Sequence, residues 1–385
     1  MTGTDFDGFR LPSRKGSLTE RIASLHQTII ERMPSVDRIA CALYHPGTDM
    51  LKTFLNSTRT GVPIAGYEFP LAESESLTRL AGTGLTRVID DIPAVLSPSS
   101  PHSKWLLEQG YQSSFTVPMY DMGRFLGFLF FNSMEKSAFT DSCQRDLLLY
   151  SNLIIMPIAA EKGAVRAILN SATVAREIAK LRDFETGAHL ERMALYARLI
   201  ALGVAEAYGL SDEQVEHIYL FAPLHDIGKI GIPDDILLKP GRLDEHERRI
   251  MEGHVALGLK LAETVLFRLG VRDLPDSSVM TNIIANHHEL LDGSGYPRGI
   301  SGDQIPVEAR IVTVADIFDA LTAPRPYKRP WSLDSSFAEL ERLTEAGKLD
   351  LNCVSALRQE RAKVENILHH HQDPEEPGPE QAWSA

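Results

Sequence analysis

Three cysteines, Cys41, Cys143 and Cys353, are all that the 385 residues contain, and they are odd in number and widely scattered. That argues against a disulfide framework and against a cysteine zinc knuckle, and fits a reducing compartment. No apolar run approaches the roughly 20 residues that a membrane span requires, and no basic-then-apolar signal segment opens the chain. A soluble, cytoplasmic protein without a membrane span is the expectation. Positive charge is also short: 39 Lys and Arg against 52 Asp and Glu leave a formal charge of −13. Such a field repels phosphate, which disfavours nucleic acid polymers and anionic lipid as partners. A small phosphate-bearing ligand would need local positive charge, from metal ions or from placed Lys and Arg.

The length suits two domains. Residues 1–15 are polar and aperiodic, a loose lead-in. Over residues 16–160 the pattern is mixed, with hairpin signals in "RIACALYHPGTDMLKTFLNST" and "SSFTVPMYDMGRFLGFLFFNS". The run Phe125 to Phe131 is apolar throughout, as a central strand covered on both faces would be. Helical stretches around residues 18–33 and 141–160 complete an α+β sensor-sized domain. Residues 161–182 read as a connecting helix, with Val165, Ile168, Leu169, Ala172, Ala175 and Ile178 as an apolar stripe for a parallel homodimer. Beyond residue 183 strand signals nearly vanish, so an all-α domain over 183–371 is expected, followed by a disordered Pro- and Glu-rich tail at 372–385.

Ten of the thirteen histidines follow residue 183, among acids at ligand-like spacings. Glu185 and His189 are four apart and would share a helix face, a spacing that a surface hydrogen bond serves as well. In "FAPLHDIGKIG" His225 and Asp226 stand in an apolar, helical context, where an ionised carboxylate is costly unless a cation pairs with it. Lys229 would lie on the same face. His254 follows on a helix that Asp244 and Glu247 open with a capping-box spacing. "HHELLDGSGYP" then supplies His287 and His288, and "RIVTVADIFDALT" supplies Asp316, with Asp319 three residues on as an orienting partner. Consecutive helical residues diverge by about 100°, so the adjacent histidines are expected to serve two metals, with the helix ending at Asp292, Gly293 and Gly295. His217 and His246 read as solvated helix or loop residues, His369 to His371 as a polar tail, and Cys41 and Cys143 as apolar filler. Five histidines and three carboxylates without thiolate suggest two or three metal ions, iron or manganese, held between facing helices.

At "HDIGKIGIPDDILLKPGRL", "HHELLDGSGYP" and "ADIFDALTAPRPYKRP" the chain resembles the HD-GYP family of cyclic-di-GMP phosphodiesterases, a bacterial subset of the metal-dependent HD phosphohydrolases, over about residues 183–350. The resemblance implies an all-helical bundle and hydrolysis of cyclic-di-GMP to linear pGpG or GMP by a metal-bridging hydroxide. It implies metal ligation by His189, His225, Asp226, His254, His287, His288 and Asp316, with Glu185 supporting a third metal. It also places Lys229 beside the scissile phosphate, Tyr296 in the signature turn, and Arg325 and Lys328 on the substrate. The stretch "AGKLDLNCVSALRQ" departs from the commoner wording, which leaves the last helices open. Residues around "GYQSSFTVPMYDMGRFLGFLFFNS" are similar to a GAF domain, which implies a small ligand, a pigment or mere dimerisation and names none of them. Two other functions stay open: hydrolysis of another cyclic dinucleotide, and a binding module that no longer turns over.

Overall fold

The computed structural model describes residues 16–98, 100–179, 187–271, 277–323 and 330–372. Glu185, Arg325, Lys328 and the tail from residue 373 lie outside them. The chain divides into two compact units between Val165 and Arg166, with residues 211–213 counted in the first.

The first unit begins at helix α1 (Leu18–Arg32), where Ser17 Oγ accepts from Glu20 N–H and the Glu20 carboxylate accepts from Ser17 N–H. Both expected hairpins form. Strands β1 (Arg38–His45) and β2 (Met50–Thr58) flank the Pro-Gly turn, which closes with Asp49 at φ 54°. Strand β3 (Glu68–Pro70), helix α2 (Glu75–Thr83), strand β4 (Arg87–Ile89) and helix α3 (Pro101–Glu108) lead to β5 (Ser113–Asp121) and β6 (Arg124–Ser133). Between β5 and β6, Met122 and Gly123 both have positive φ, the mirror-image turn that suits the twist of a two-residue hairpin loop. The antiparallel sheet runs β3-β2-β1-β6-β5-β4, so the apolar strand β6 is central, as its composition predicts. One face packs Ile39, Cys41, Phe115, Val117, Leu129 and Phe131 against α1 and the start of helix α4 (Asp141–Ala179). Cys41 is thus buried core, and the Cys143 thiol donates weakly to Met33 Sδ at 3.6 Å.

The second unit contains no strand among its described residues, as expected. Its longer helices are α5 (Gly187–Tyr208), α6 (Asp212–Phe221), α7 (Glu245–Glu252), α8 (His254–Arg268), α9 (Ser277–Asn286), α10 (Val307–Thr322), α11 (Leu333–Glu345), α12 (Leu351–Gln359) and α13 (Arg361–His370). The C-terminal departure from the commoner wording still folds as α12, capped by Asp350, whose carboxylate accepts from Asn352 and Cys353 N–H.

Several local expectations need correction. The capping box of Asp244 and Glu247 opens α7, but Gly253 ends it and His254 starts a separate helix. His217 is buried and stacks on Phe221 at 5.8 Å rather than facing solvent. His369 and His370 belong to α13, not to a loose tail, and the His371 carbonyl accepts from Arg192 Nη1 at 2.8 Å. Of the stripe assigned to a dimer, Val165 and Ile168 are buried and Leu169 and Ala172 half-buried, while the side chains of Ala175 and Ile178 lie outside those described. Ile168 and Ala172 line a small apolar cavity of about 70 Å³ together with Leu224, Ile227 and Ile284.

Candidate metal centre

His225 and Asp226 are not helical. They occupy a turn between two 3₁₀ segments, Ala222–Leu224 and Ile227–Gly231. Gly228 is what lets this turn approach α8: a Cβ there would overlap the His254 carbonyl oxygen and the backbone of Gly258. In a 3₁₀ turn residues three apart eclipse, and Lys229 accordingly stands over Asp226, its Nζ 2.6 Å from Oδ2. Helix α9 stops at Asn286, six residues before the expected glycine break, and His287 and His288 sit in the turn beyond it. Freed from helical divergence, their rings come to 4.0 Å, and both join one cluster. The expectation that they serve separate metals is therefore overturned by the helix end.

Two groups result. Ligand-type atoms of Asp226, His254, His287 and His288 lie within 4.8 Å of one another, and so do those of His189, His225 and Asp316. The groups adjoin, with the His225 and His287 rings 5.1 Å apart. Asp226 spans them: Oδ2 is 3.2 Å from His225 Nε2, whereas Oδ1 is 3.0 Å from His254 Nε2 and 3.6 Å from His287 Nε2.

The proton positions follow from the second ring nitrogens. Nδ1–H donates to Ala222 O from His225 at 2.9 Å, to Met251 O from His254 at 2.7 Å, and to Ile283 O from His287 at 3.1 Å. A carbonyl only accepts, so in each neutral ring Nε2 carries a lone pair. Burial keeps His287 and His288 below the usual histidine range, in the neutral form. Burial works to raise the Asp226 carboxyl, but the Lys229 ammonium beside it outweighs that and holds it well below the carboxylate range. Lone pairs thus face an anionic oxygen: Asp226 Oδ1, His254 Nε2 and His287 Nε2 are buried and make no hydrogen bond among the described residues. Acceptors converging in a dry site are costly unless a cation sits among them. The residues fit a metal.

A fourth histidine, His189, is oriented by a carboxylate. Asp319 Oδ2 accepts from His189 Nδ1–H at 2.6 Å, while Arg192 donates Nε to Oδ1 at 2.6 Å and Nη2 to Oδ2 at 3.0 Å. This is the partner role expected of Asp319. Arg192, itself buried, and Glu289 were not singled out in the sequence. Glu289 Oε1 accepts from Arg298 N–H at 2.8 Å and Oε2 from Ile300 N–H at 3.2 Å, which ties down the loop carrying Tyr296. Gly295 packs on the backbone of residues 288–290 with no room for a Cβ, and Tyr296 N–H donates to His288 O at 3.1 Å. The Tyr296 ring lies 4.5 Å from that of His288. His225, Asp226, His254 and His287 are buried, whereas His288, Asp316, Lys229 and Tyr296 are half-buried. The site opens toward that second set.

Residues 173–352 match the family model described as "HD domain". This region is similar to an HD domain. HD domains bind divalent metal, in keeping with the two groups. The chain is 48% identical over 187 residues to the cyclic di-GMP phosphodiesterase response regulator RpfG of Xanthomonas campestris, covering 48% of this chain and 46% of the relative. It is 45% identical over 159 residues to the 3'3'-cGAMP-specific phosphodiesterase 2 of Vibrio cholerae, covering 41% and 28%. It is 44% identical over 172 residues to a cyclic di-GMP phosphodiesterase of Thermotoga maritima, covering 45% and 43%. The chain thus spans less than half the length of these curated relatives. Solved structures similar to it include the phycocyanobilin-bound GAF domain of a cyanobacterial phytochrome, at 17% identity and TM-score 0.31 over 38% of this chain and 86% of that one. A free methionine-R-sulfoxide reductase from Neisseria meningitidis is 17% identical, with TM-score 0.32, over 40% and 84%. Among the described residues no helix is long and apolar enough to cross a membrane.

Proposed function

We propose that the protein is a cytoplasmic, metal-dependent phosphodiesterase that hydrolyses cyclic-di-GMP to pGpG or GMP. In this reading residues 16–160 form a GAF-like sensor, 161–182 connect, and 183–371 form the HD-GYP catalytic domain. The observation that carries it is the division of Asp226, one oxygen toward His225 and the other toward His254 and His287. One carboxylate would thereby serve two adjoining metal positions, which His189 and Asp316 would complete on one side and His288 on the other. Iron or manganese suits imidazole and carboxylate ligands without thiolate, and Glu185 provides for a third ion. When bound, such ions neutralise phosphate oxygens and acidify water.

The chain's own groups do the rest. Backbone carbonyls and Asp319 hold the Nδ1 protons of His189, His225, His254 and His287, so their Nε2 atoms are presented as lone pairs. Lys229 keeps an ammonium beside Asp226, where charge develops on the phosphate. Tyr296 closes the open side against His288, and Arg325 and Lys328 bind substrate. The chain is read as a homodimer through α4, whose exposed apolar residues Leu149, Leu153 and Met156 follow one another by four and three positions. Hydrolysis of 3'3'-cGAMP is the second reading, favoured by the Vibrio cholerae relative of that specificity.

The test is turnover of cyclic-di-GMP and 3'3'-cGAMP by anaerobically prepared, metal-quantified protein. Cyclic-di-GMP is expected to be the better substrate, at two to three metal equivalents per chain, of which Glu185→Ala removes about one. Lys229→Ala is expected to keep its metals and lose roughly 10²- to 10³-fold in rate. A metal-replete protein that binds either dinucleotide without cleaving it, or a single retained zinc, overturns the proposal.

A further inference from the structure

The two faces of the N-terminal sheet differ in chemistry. The face away from α1 and α4 borders a cavity of about 160 Å³ and carries buried charge. Arg38, at the start of β1, is 2% exposed. Its Nη1 donates to Asn132 Oδ1 at 2.8 Å, and Asn132 Nδ2 donates in turn to Ser114 Oγ at 3.1 Å. These residues are cross-strand neighbours on β1, β6 and β5. One strand further, Arg87 of β4 donates Nη2 to Thr116 Oγ1 at 3.3 Å and Nη1 to Ser76 Oγ at 2.7 Å. An arginine therefore stands at each end of a polar row crossing four strands.

Neither guanidinium has a carboxylate partner among the described residues, and the Nε of both is buried without a hydrogen bond. Among the described residues the cavity wall contains no Asp or Glu. An arginine cannot escape burial by losing its proton, since desolvation brings Arg38 down only to about 10. Arg38, buried and 4.7 Å from the centre of the Trp105 ring, and Arg87, half-buried, are costly without a carboxylate and recover that cost by taking an anion. Ser74 and Ser100, the N-caps of α2 and α3, also line the cavity and bring two helix N-termini of the same sign. The remaining wall is flat and apolar. His102 stacks between Tyr67 and Trp105, with ring centroids 5.9 and 6.2 Å away, and Phe130 tilts against it at 6.0 Å. Burial, helped by Arg38 and Arg87, pushes His102 down to about 4, so its ring is neutral.

We propose that this cavity binds a small organic anion, a planar ring bearing one carboxylate or phosphate. Arg38 and Arg87 take the oxyanion, and Tyr67, His102 and Phe130 cover the ring. The inference is independent of the reaction proposed for the HD domain.

Isothermal titration of the full chain at fixed ionic strength tests it, with benzoate, phenyl phosphate, benzamide and inorganic phosphate as probes. Benzoate or phenyl phosphate is expected to bind, and the better of the two identifies the oxyanion. Benzamide, of the same shape but uncharged, is expected to bind at least roughly tenfold more weakly, and inorganic phosphate, lacking the ring, also more weakly. Arg87→Gln is expected to weaken the bound anion roughly 10- to 100-fold, while Arg124→Gln on the exposed hairpin leaves it unchanged. Equal affinity for benzamide and benzoate, no binding of either ringed anion at millimolar concentration, or an unchanged affinity in folded Arg87→Gln overturns the proposal. Should Arg87→Gln fail to fold, the comparison of benzoate with benzamide decides alone.

Discussion

Asp319→Ala separates the metal centre from the fold that supports it. Asp319 is 1% exposed and accepts three short bonds, one from His189 Nδ1 and two from the guanidinium of Arg192, itself 2% exposed. Burial alone would raise the Asp319 carboxyl, but the bonds from His189 and Arg192 outweigh it and keep the group ionised. Its removal takes from a buried cation the carboxylate that accepts two of its hydrogen bonds, a change that costs about 3–5 kcal/mol. For a unit of this size the expected fall in melting temperature is roughly 6–20 °C. That loss comes from Arg192 and does not need metal, so it should appear in chelator-treated protein. A second effect needs metal. Asp319→Ala also removes the carboxylate that accepts the His189 Nδ1 proton, and metal affinity is expected to drop roughly 10- to 100-fold. Thermal unfolding with and without chelator, together with metal analysis, reads both effects. Asp319→Asn, which keeps the shape and one acceptor, should fall between wild type and Asp319→Ala. An unmoved transition in chelated Asp319→Ala refutes the role of Arg192, and unchanged metal content refutes that of His189.

Gly228→Ala puts a methyl group into the His254 carbonyl and the Gly258 backbone, so the turn must leave α8; the protein is expected to lose metal and stability together, by metal analysis and denaturant unfolding. Glu289→Gln presents an amide N–H₂ to one of the two N–H groups that the carboxylate accepts, at a cost of about 1–3 kcal/mol. Amide exchange should accelerate at residues 296–300 while metal content holds. Leu149, Leu153 and Met156 are 69%, 57% and 69% exposed. Changing all three to glutamate should convert a dimer to a monomer by light scattering, whereas Ile168→Glu, at a buried position, should unfold the protein instead.

The division into an α+β half and an all-α half is legible because periodicity reports which face of an element is buried. The hairpin turns at residues 46–49 and 121–124 and the apolar strand β6 follow from that local signal. The metal residues are legible for another reason. Imidazoles and carboxylates within apolar runs are too costly to leave unpaired, so their identity alone marks His225, Asp226 and Asp316. What the sequence hides is set by contacts far apart in the chain. Gly228 fits because α8 lies against it, and that same approach puts Asp226 beside His254. Helix α9 ends at Asn286 with no glycine or proline to announce it. The carbonyl of His287 is taken by Thr313 Oγ1 of α10 at 2.8 Å, and that of His288 by Tyr296 N–H from the returning loop. Those two bonds, from partners 26 and 8 positions away, replace the helical ones and turn both rings into one cluster. The assumption of a continuing helix was therefore what separated the adjacent histidines. Arg192 and Glu289 escape a search for ligands because neither is placed to bind metal. Each fixes a neighbour that is, Arg192 through Asp319 and Glu289 through the loop closing on His288, and such a role becomes visible only once the donors and acceptors are counted in three dimensions.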